Sequence, residues 1–122
     1  MAKPEHEFFA TDRISFTRCA GDVDSLTERI LATDPDGGTV TRLLRFEAGT
    51  DTTANGVQLH DFWEEVYIIE GSITDLRLDQ TFGAGMYACR PPGMAHGPWQ
   101  SPAGCLTFEV RYRTDREGAW RP

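Results

Sequence analysis

Apolar and polar residues alternate in the C-terminal part of the chain, between Cys105 and Arg113. A period of two places successive side chains on opposite faces of an extended backbone, so this segment is predicted to be a strand with one buried face. The apolar set, which we expect on the buried face, is Leu106, Phe108, Val110 and Tyr112. This is the clearest strand signal in the sequence.

Two further segments, Leu26 to Thr33 and Thr39 to Phe46, are separated by the sequence Asp-Pro-Asp-Gly-Gly. Proline fixes φ at a value that turns use and the glycines supply positive φ, so the pair is predicted to be a β-hairpin. Ser25 and Glu28 also have the spacing of a helix capping box. We favour the strand, because the apolar residues and the turn that follow suit a β-meander better.

Short runs rich in β-forming residues continue along the chain, bounded by glycine or proline: Val66 to Glu70, Ile73 to Asp79 and Met86 to Arg90. Turn signals recur about every ten residues, a spacing typical of all-β sandwiches and barrels. Nothing after residue 33 has the pattern of an amphipathic helix. With 122 residues and no repeat or linker, the chain is predicted to be a single all-β domain spanning 1–122.

Acidic residues outnumber basic ones, 19 to 12, and the net charge is −7. This balance, without a basic cluster, argues against nucleic acid and anionic membranes as partners. We expect a cytoplasmic protein, because the sequence shows neither a membrane-spanning apolar run nor a signal peptide. Cys19, Cys89 and Cys105 lack the spacing of a disulfide framework or a thiolate zinc site, so we expect reduced thiols.

Candidate chemistry concentrates around two of the three histidines, His60 and His96. Histidine is the side chain that most often binds metals, although a lone histidine is more often an ordinary hydrogen-bonded residue. Gln58 and His60 share one face of an extended backbone, and Glu64 has the same parity if the strand resumes after a short bend. These three donors can therefore converge, and the Pro-Pro-Gly turn before His96 could bring a fourth.

The carboxylate of this cluster is either Glu64 or Glu65, which precede the apolar run directly. At least one of them must point into a buried layer, where a carboxylate needs a cation or strong hydrogen-bond donors. Parity with His60 favours Glu64.

The spacing of these residues resembles the two motifs of the cupin family. The glycine, proline, glycine and histidine of the second motif correspond to Gly85, Pro91, Gly93 and His96, with Gln100 where asparagine is usual. The first motif matches at Gln58, His60, Glu64 and Gly71, with glutamine in place of the first histidine. The resemblance covers roughly residues 41–112 and leaves 1–40 as an N-terminal extension with strands.

Similarity to cupins implies a jelly-roll β-barrel that holds one divalent metal ion through Gln58, His60, Glu64 and His96. The Gln-x-His pair also resembles the zinc site of type I mannose phosphate isomerases. Without a thiolate, this donor set leaves Fe, Mn, Ni and Zn open. Coordination positions left free favour catalysis over a structural role. Because small cupins commonly dimerise, we also expect a homodimer.

Six further side chains are candidates for lining a pocket beside the metal: Trp63, Tyr87, Arg90, Trp99, Gln100 and Phe108. Aromatic residues on strands belong to the core more often than to a pocket. Arg90 would either grip a substrate carboxylate or form an ion pair at a surface or interface.

The resemblance implies a metal-dependent enzyme that acts on a small organic molecule, with dioxygenase-like cleavage of a chelating enol, diketone or hydroxyketone as the leading reaction. Isomerase, lyase and cyclase chemistry occurs in the same fold. A ligand-binding or sensory cupin without turnover is the alternative from a different class, and a metal-free structural cupin is a third. Fold resemblance does not separate them, because function resides in the site.

Overall fold

The computed structural model of the chain describes residues 3–34, 36 and 38–114. Within these residues the regular elements are strands and two short 3₁₀ turns, Thr11–Arg13 and Thr53–Asn55. The strands are β1 (Thr17–Arg18), β2 (Leu26–Asp34), β3 (Thr39–Phe46), β4 (Thr50–Asp51), β5 (Trp63–Asp75), β6 (Gln80–Gly83), β7 (Tyr87–Arg90), β8 (Trp99–Ser101) and β9 (Cys105–Tyr112). The predicted all-β class is confirmed. None of the helical turns in the described ranges is long or apolar enough to cross a bilayer.

The strands pair antiparallel in the order β1-β2-β3-β9-β5-β8-β4, and β6 and β7 also pair with β5. β5 belongs to two sheets, because its first half lies between β7 and β9 and its second half pairs with β6 and β8. The strands before residue 41 join this arrangement through the pairing of β2 with β3. The boundary at residue 41 between the N-terminal extension and the barrel remains a prediction.

The hairpin predicted from the Pro-Gly turn is present, since β2 and β3 pair from Leu26 with Phe46 to Asp34 with Thr39. The segment after Ser25 is a strand, not a capped helix, as the sequence favoured. The two runs predicted as separate strands, Val66 to Glu70 and Ile73 to Asp79, are instead one continuous strand, β5, which ends at Asp75.

Gly71 interrupts the apolar pattern of β5 without ending the strand. It follows a bulge between Ile68 and Glu70 and has φ of +78°, a region that favours glycine. A Cβ at this position would lie 2.1 Å from the carbonyl oxygen of Gly104. The glycine of the first motif is therefore required by a close approach of two backbones.

The prediction for β9 is correct in its period but wrong in its buried face. Cys105, Thr107 and Glu109 are buried, whereas Phe108 is 37% exposed on the opposite face. Apolar residues normally occupy the inner face of a strand, but here the interior contains the guanidinium of Arg42, with which Glu109 pairs. The need of buried charges for partners outweighs the burial of Phe108.

The interior is divided into an apolar and a polar part. The apolar cluster comprises Cys19, Leu26, Leu44, Phe46, Ile68, Ile73, Trp99 and Cys105. The buried charged and imidazole side chains are Arg42, Glu64, Asp75, Arg90, His96 and Glu109. Such a group of buried ionisable side chains marks the polar part of the interior as a candidate functional site.

Candidate metal centre

Two loops and one strand bring together three side chains that are suited to a metal. Glu64 lies on β5, while His60 precedes that strand across a two-residue bend and His96 precedes β8. One donor atom from each of these residues lies within 4.8 Å of the others. Glu64 points inward together with Val66 and Ile68, as the parity argument predicted.

The loops that hold the two histidines are hydrogen-bonded to each other. Gln58 and His96 exchange backbone hydrogen bonds in both directions, at 2.7 and 3.1 Å. The amide of Gly93 donates to the carbonyl of His60 at 2.8 Å. The residues of the two sequence motifs are therefore fixed to one another by backbone as well as by proximity.

Both imidazoles have a lowered pKa, which favours the neutral form that a metal ligand needs. Burial, followed by the charge of Arg90, lowers the pKa of His96 to about 4. Burial also lowers the pKa of His60. The Nδ1 of His96 lies 3.3 Å from the carbonyl oxygen of Met94, so a proton on Nδ1 leaves Nε2 with a free lone pair toward Glu64. Metal binding requires such unprotonated nitrogens.

Glu64 is flanked by two arginines from the neighbouring strands. Arg90 on β7 and Arg111 on β9 are its partners in register, so all three side chains share the inner face. Nη1 of Arg90 donates to Oε1 of Glu64 at 3.0 Å and Nε of Arg111 donates to Oε2 at 2.9 Å. Although burial raises the pKa of Glu64, Arg111 and Arg90 outweigh it and the net pKa is lowered. The carboxylate is thus ionised, and both of its oxygens are paired with arginines.

A polar cavity of about 80 Å³ is lined by these residues together with Gln58, Arg42, Glu109 and Trp99. Gln58 is therefore brought to the site that the sequence indicated. Its amide nitrogen donates to the carbonyl of Asn55 at 3.2 Å. Within the described ranges its amide oxygen accepts no hydrogen bond, so this oxygen remains a candidate donor to a metal.

The competing carboxylate, Glu65, lies on the outer face of β5. It accepts hydrogen bonds from the hydroxyls of Tyr87 and Tyr112, which lower its pKa. These hydrogen bonds keep Glu65 away from the two histidines. Tyr87 also points outward, but it borders a second cavity.

The other candidate pocket residues divide into two groups. Arg90 and Trp99 line the polar cavity, with the guanidinium carbon of Arg90 5.3 Å from the centre of the Trp99 ring. Trp63 stacks on Tyr112, Gln100 donates to Asp51 at 2.9 Å, and Phe108 lies on the outer face of β9. The structure does not bring this second group to either cavity beside the site.

Sequence reasoning missed three charged residues of the cavity, Arg42, Glu109 and Arg111. Arg42 pairs with both Glu28 and Glu109 at 2.8 Å. The signal for two of them was present, since Glu109 and Arg111 occupy the polar parity of β9. The side chains of that parity were predicted to face solvent, because charged residues are usually exposed.

The donor set itself fits a divalent ion. Two neutral imidazoles and one ionised carboxylate form the set found in non-haem Fe(II) sites and in catalytic zinc sites. The absence of a thiolate from this set favours neither ion. The arrangement is a potential metal site that leaves further coordination positions to an exogenous ligand.

Comparison with known proteins identifies the family of the chain. The family model of the ChrR Cupin-like domain matches residues 5–114. The chain therefore belongs to the ChrR cupin-like family, and the cupin assignment from the two motifs is confirmed. No curated protein matches the chain.

Solved structures share the fold at low sequence identity. An RmlC-like cupin from Shewanella frigidimarina is 18% identical, with 98% of this chain and 100% of that chain covered and a TM-score of 0.70. An acetylacetone dioxygenase from Acinetobacter johnsonii is 16% identical, with 98% and 83% covered and a TM-score of 0.68.

A third similar structure belongs to a regulatory complex. The complex of Rhodobacter sphaeroides SigE with the anti-sigma ChrR contains a chain that is 20% identical, with 80% of this chain covered and a TM-score of 0.60. The present chain spans about half of that protein, since 49% of it is covered. At these identities the similarity establishes the fold alone.

Proposed function

We propose that this chain is a metal-dependent cupin enzyme in which His60, Glu64 and His96 hold one divalent ion. The observation that carries the proposal is the convergence of their donor atoms within 4.8 Å, with Glu64 and His96 buried and His60 half-buried. A bound ion would supply Lewis acidity and a template for a chelating substrate. We further propose dioxygenase-like cleavage of a small organic molecule as the reaction, supported by the acetylacetone dioxygenase among the similar structures.

The residues of the chain have distinct roles in this proposal. His60 and His96 donate nitrogen lone pairs, and Glu64 donates one carboxylate oxygen. Arg111 orients that carboxylate through the other oxygen. Gln58 is proposed as a fourth, weaker ligand through its amide oxygen. Burial of Glu64 and His96 keeps bulk water away from these two side chains, which strengthens the electrostatic interactions that they make.

Elemental analysis of the purified protein, reconstituted separately with Fe, Mn, Ni and Zn, tests the metal site. We expect one ion per chain, and loss of most of it in His60→Ala and in His96→Ala. His6→Ala is the matched control, because the exposed His6 contacts Phe9 and not the cavity. Wild-type protein that binds none of the four ions, or a control that loses as much metal as the two variants, would refute the proposal.

A second candidate, a sensory cupin that binds a ligand without turnover, is favoured by the family match and by the similarity to the complex of SigE with ChrR. Oxygen consumption by the metal-loaded protein with acetylacetone and related diketones distinguishes the two candidates. Steady consumption supports the enzyme, whereas saturable binding without consumption supports the sensor. Isomerase, lyase and cyclase reactions would give product without oxygen uptake.

The homodimer and the cytoplasmic location expected from the sequence remain predictions. Light scattering on the eluting protein measures the mass of the assembly directly. Cell fractionation tests the location.

A further inference from the structure

Arg90 is a buried cation at the boundary between two cavities. It is 9% exposed and lines both the polar cavity of the metal centre and a second, largely apolar cavity of about 190 Å³. The second cavity is bordered by Val66, Ile68, Phe82 and Met86. Arg90 therefore lies where a ligand that spans both cavities would place a polar group.

Arg90 forms its ion pair with a single carboxylate. Among the described residues, Glu64 is the only acidic side chain within ion-pair distance of Arg90, through Oε1 at 3.0 Å. The same Oε1 lies 3.7 Å from Nε2 of His96, so it is the oxygen on the side of the histidine. The other oxygen is used by Arg111. A metal held by His96 and Glu64 would therefore act on the oxygen that now pairs with Arg90.

No neighbouring carboxylate replaces Glu64 as a partner in that state. Glu109 and Glu28 are both engaged by Arg42. Asp75, which borders the apolar cavity, accepts from the backbone amides of Arg77, Leu78 and Gly97. With a divalent ion bound, one carboxylate would have to balance the ion and two guanidinium groups. A buried cation without a partner is strongly unfavourable, so an additional anion is required.

We infer that Arg90 is the anion-binding residue of this site, and that the substrate is a small carboxylic acid with a second oxygen donor on the adjacent carbon and an apolar substituent. The two oxygen donors chelate the ion, the carboxylate pairs with Arg90, and the substituent enters the apolar cavity. A cavity of this size has room for a group of about six carbons, since an engineered cavity of about 150 Å³ binds benzene. This inference rests on the proposed metal site and narrows its substrate class.

Calorimetric titration of the zinc-loaded protein with two ligands of the same shape tests the inference. The acid is 4-methyl-2-oxopentanoate and its neutral counterpart is 4-methyl-2-oxopentanamide. A charge-assisted hydrogen bond contributes about 1.5 to 3 kcal/mol, so we expect the acid to bind at least about tenfold more tightly than the amide. Pyruvate, which lacks the apolar substituent, should bind more weakly than the larger acid.

Arg90→Gln should change two affinities in opposite directions. It should weaken binding of the acid about tenfold or more while leaving the amide unchanged. It should tighten binding of Zn²⁺, because a competing cation is removed from Glu64. A variant that had merely lost its structure would bind both the acid and Zn²⁺ more weakly. Arg45→Gln is the control, since Arg45 lies on β3 with an exposed side chain that pairs with Glu47. It should change neither the affinity for the acid nor the affinity for Zn²⁺.

If Arg90→Gln does not fold, Arg90→Lys is measured instead, and a several-fold loss of acid affinity with unchanged amide affinity is expected, because lysine lacks the planar fork of donors. Equal affinity of the wild type for acid and amide, or equal effects of either variant on both, overturns the inference and leaves the proposed metal site standing. Failure of the wild type to bind any ion overturns both.

Discussion

Two clusters of charged side chains contribute residues to the same cavity of this protein, and they are built in opposite ways. In the first, the arginine cluster, Arg42 lies between two carboxylates from neighbouring strands, Glu28 and Glu109. In the second, the glutamate cluster, Glu64 lies between two arginines, Arg90 and Arg111. β9 contributes Glu109 to one cluster and Arg111 to the other, at successive inward positions.

The difference lies in what surrounds the central residue. Glu109 is held further by Thr107, whose hydroxyl donates to it at 3.2 Å, and no imidazole lies in the described contacts of the arginine cluster. Glu64 instead has His60 and His96 beside it. The arginine cluster is thus an ion-pair network with fixed partners. The central carboxylate of the glutamate cluster instead belongs to a potential metal site, so under the proposed function a metal ion would be an alternative partner for it. Similar ion pairs can therefore serve stability in one place and ligand exchange in another.

The largest expected effect follows from breaking the arginine cluster. Arg42→Gln leaves two carboxylates without their cation, and we expect the free energy of unfolding to fall by about 3 to 5 kcal/mol, as when one partner of a buried ion pair is removed. Urea unfolding measures this loss. Arg45→Gln on the same strand should stay within about 0.5 kcal/mol of the wild type, because its side chain is exposed. A similar loss in both variants would mean that the cluster has no special role in stability.

The glutamate cluster should instead respond to metal. At a free ion concentration about one hundred times the Kd, the wild type should gain about 2.7 kcal/mol of stability. Glu64→Gln should abolish that gain, whereas Glu65→Gln should retain it, because Glu65 faces outward toward Tyr87 and Tyr112. Thermal unfolding with and without Zn²⁺ checks both. If Glu65→Gln abolished the gain and Glu64→Gln retained it, Glu65 would be the carboxylate of the metal site.

A smaller effect on metal affinity is expected at Gln58. Substitutions there show whether the metal site has three ligands or four. Gln58→Ala should lower metal affinity by less than about tenfold, because the two imidazoles and Glu64 remain. Gln58→His should tighten binding of Ni, Cu and Zn, since imidazole suits these ions better than an amide. Competitive metal titration of the two variants is the measurement. Unchanged affinity and preference in both would show that Gln58 is not a ligand.

The smallest effect concerns Cys19, whose sulfur lies 4.0 Å from Nη1 of Arg42. Burial raises the pKa of Cys19 and that of Cys105 to about 11, so both stay protonated and unreactive at pH 8. A thiol reagent should label only the exposed Cys89 rapidly in the folded wild type. In Arg42→Gln, Cys19 should be labelled faster as the cluster loosens, and an unchanged rate would argue against that coupling.

The fold and part of the candidate site were accessible from the sequence for a local reason. Turn residues and the spacing within one motif, such as that of His60 and Glu64, are properties of short segments and predict short-range geometry well. The placement of His96 beside them was implied by the resemblance to cupins. The inward face of β9 was not accessible in the same way, because the partner that draws Glu109 inward, Arg42, lies 67 residues away in the chain. Phe108, judged from its own strand alone, was assigned to the wrong side.

Gly71 and Arg90 show the same limit. Glycine in an apolar run was interpreted as the end of a strand, whereas the structure uses it where two backbones approach closely. For Arg90 the sequence offered both an ion pair and a substrate contact. Only the pairing of β5 with β7 places it opposite Glu64, and such a long-range register cannot be derived from the composition of either strand.

The paired backbones of Gln58 and His96, with Gly93 bound to His60, have a consequence for the entropy of ion capture. Flexible loops lose conformational freedom when they close around an ion, and that loss opposes binding. Here folding has already ordered both loops, so under the proposed function His60 and His96 would meet an ion as a preformed chelate. The amide protons of Gln58, Gly93 and His96 should accordingly exchange slowly with solvent before any ion arrives, and its arrival should slow them only slightly.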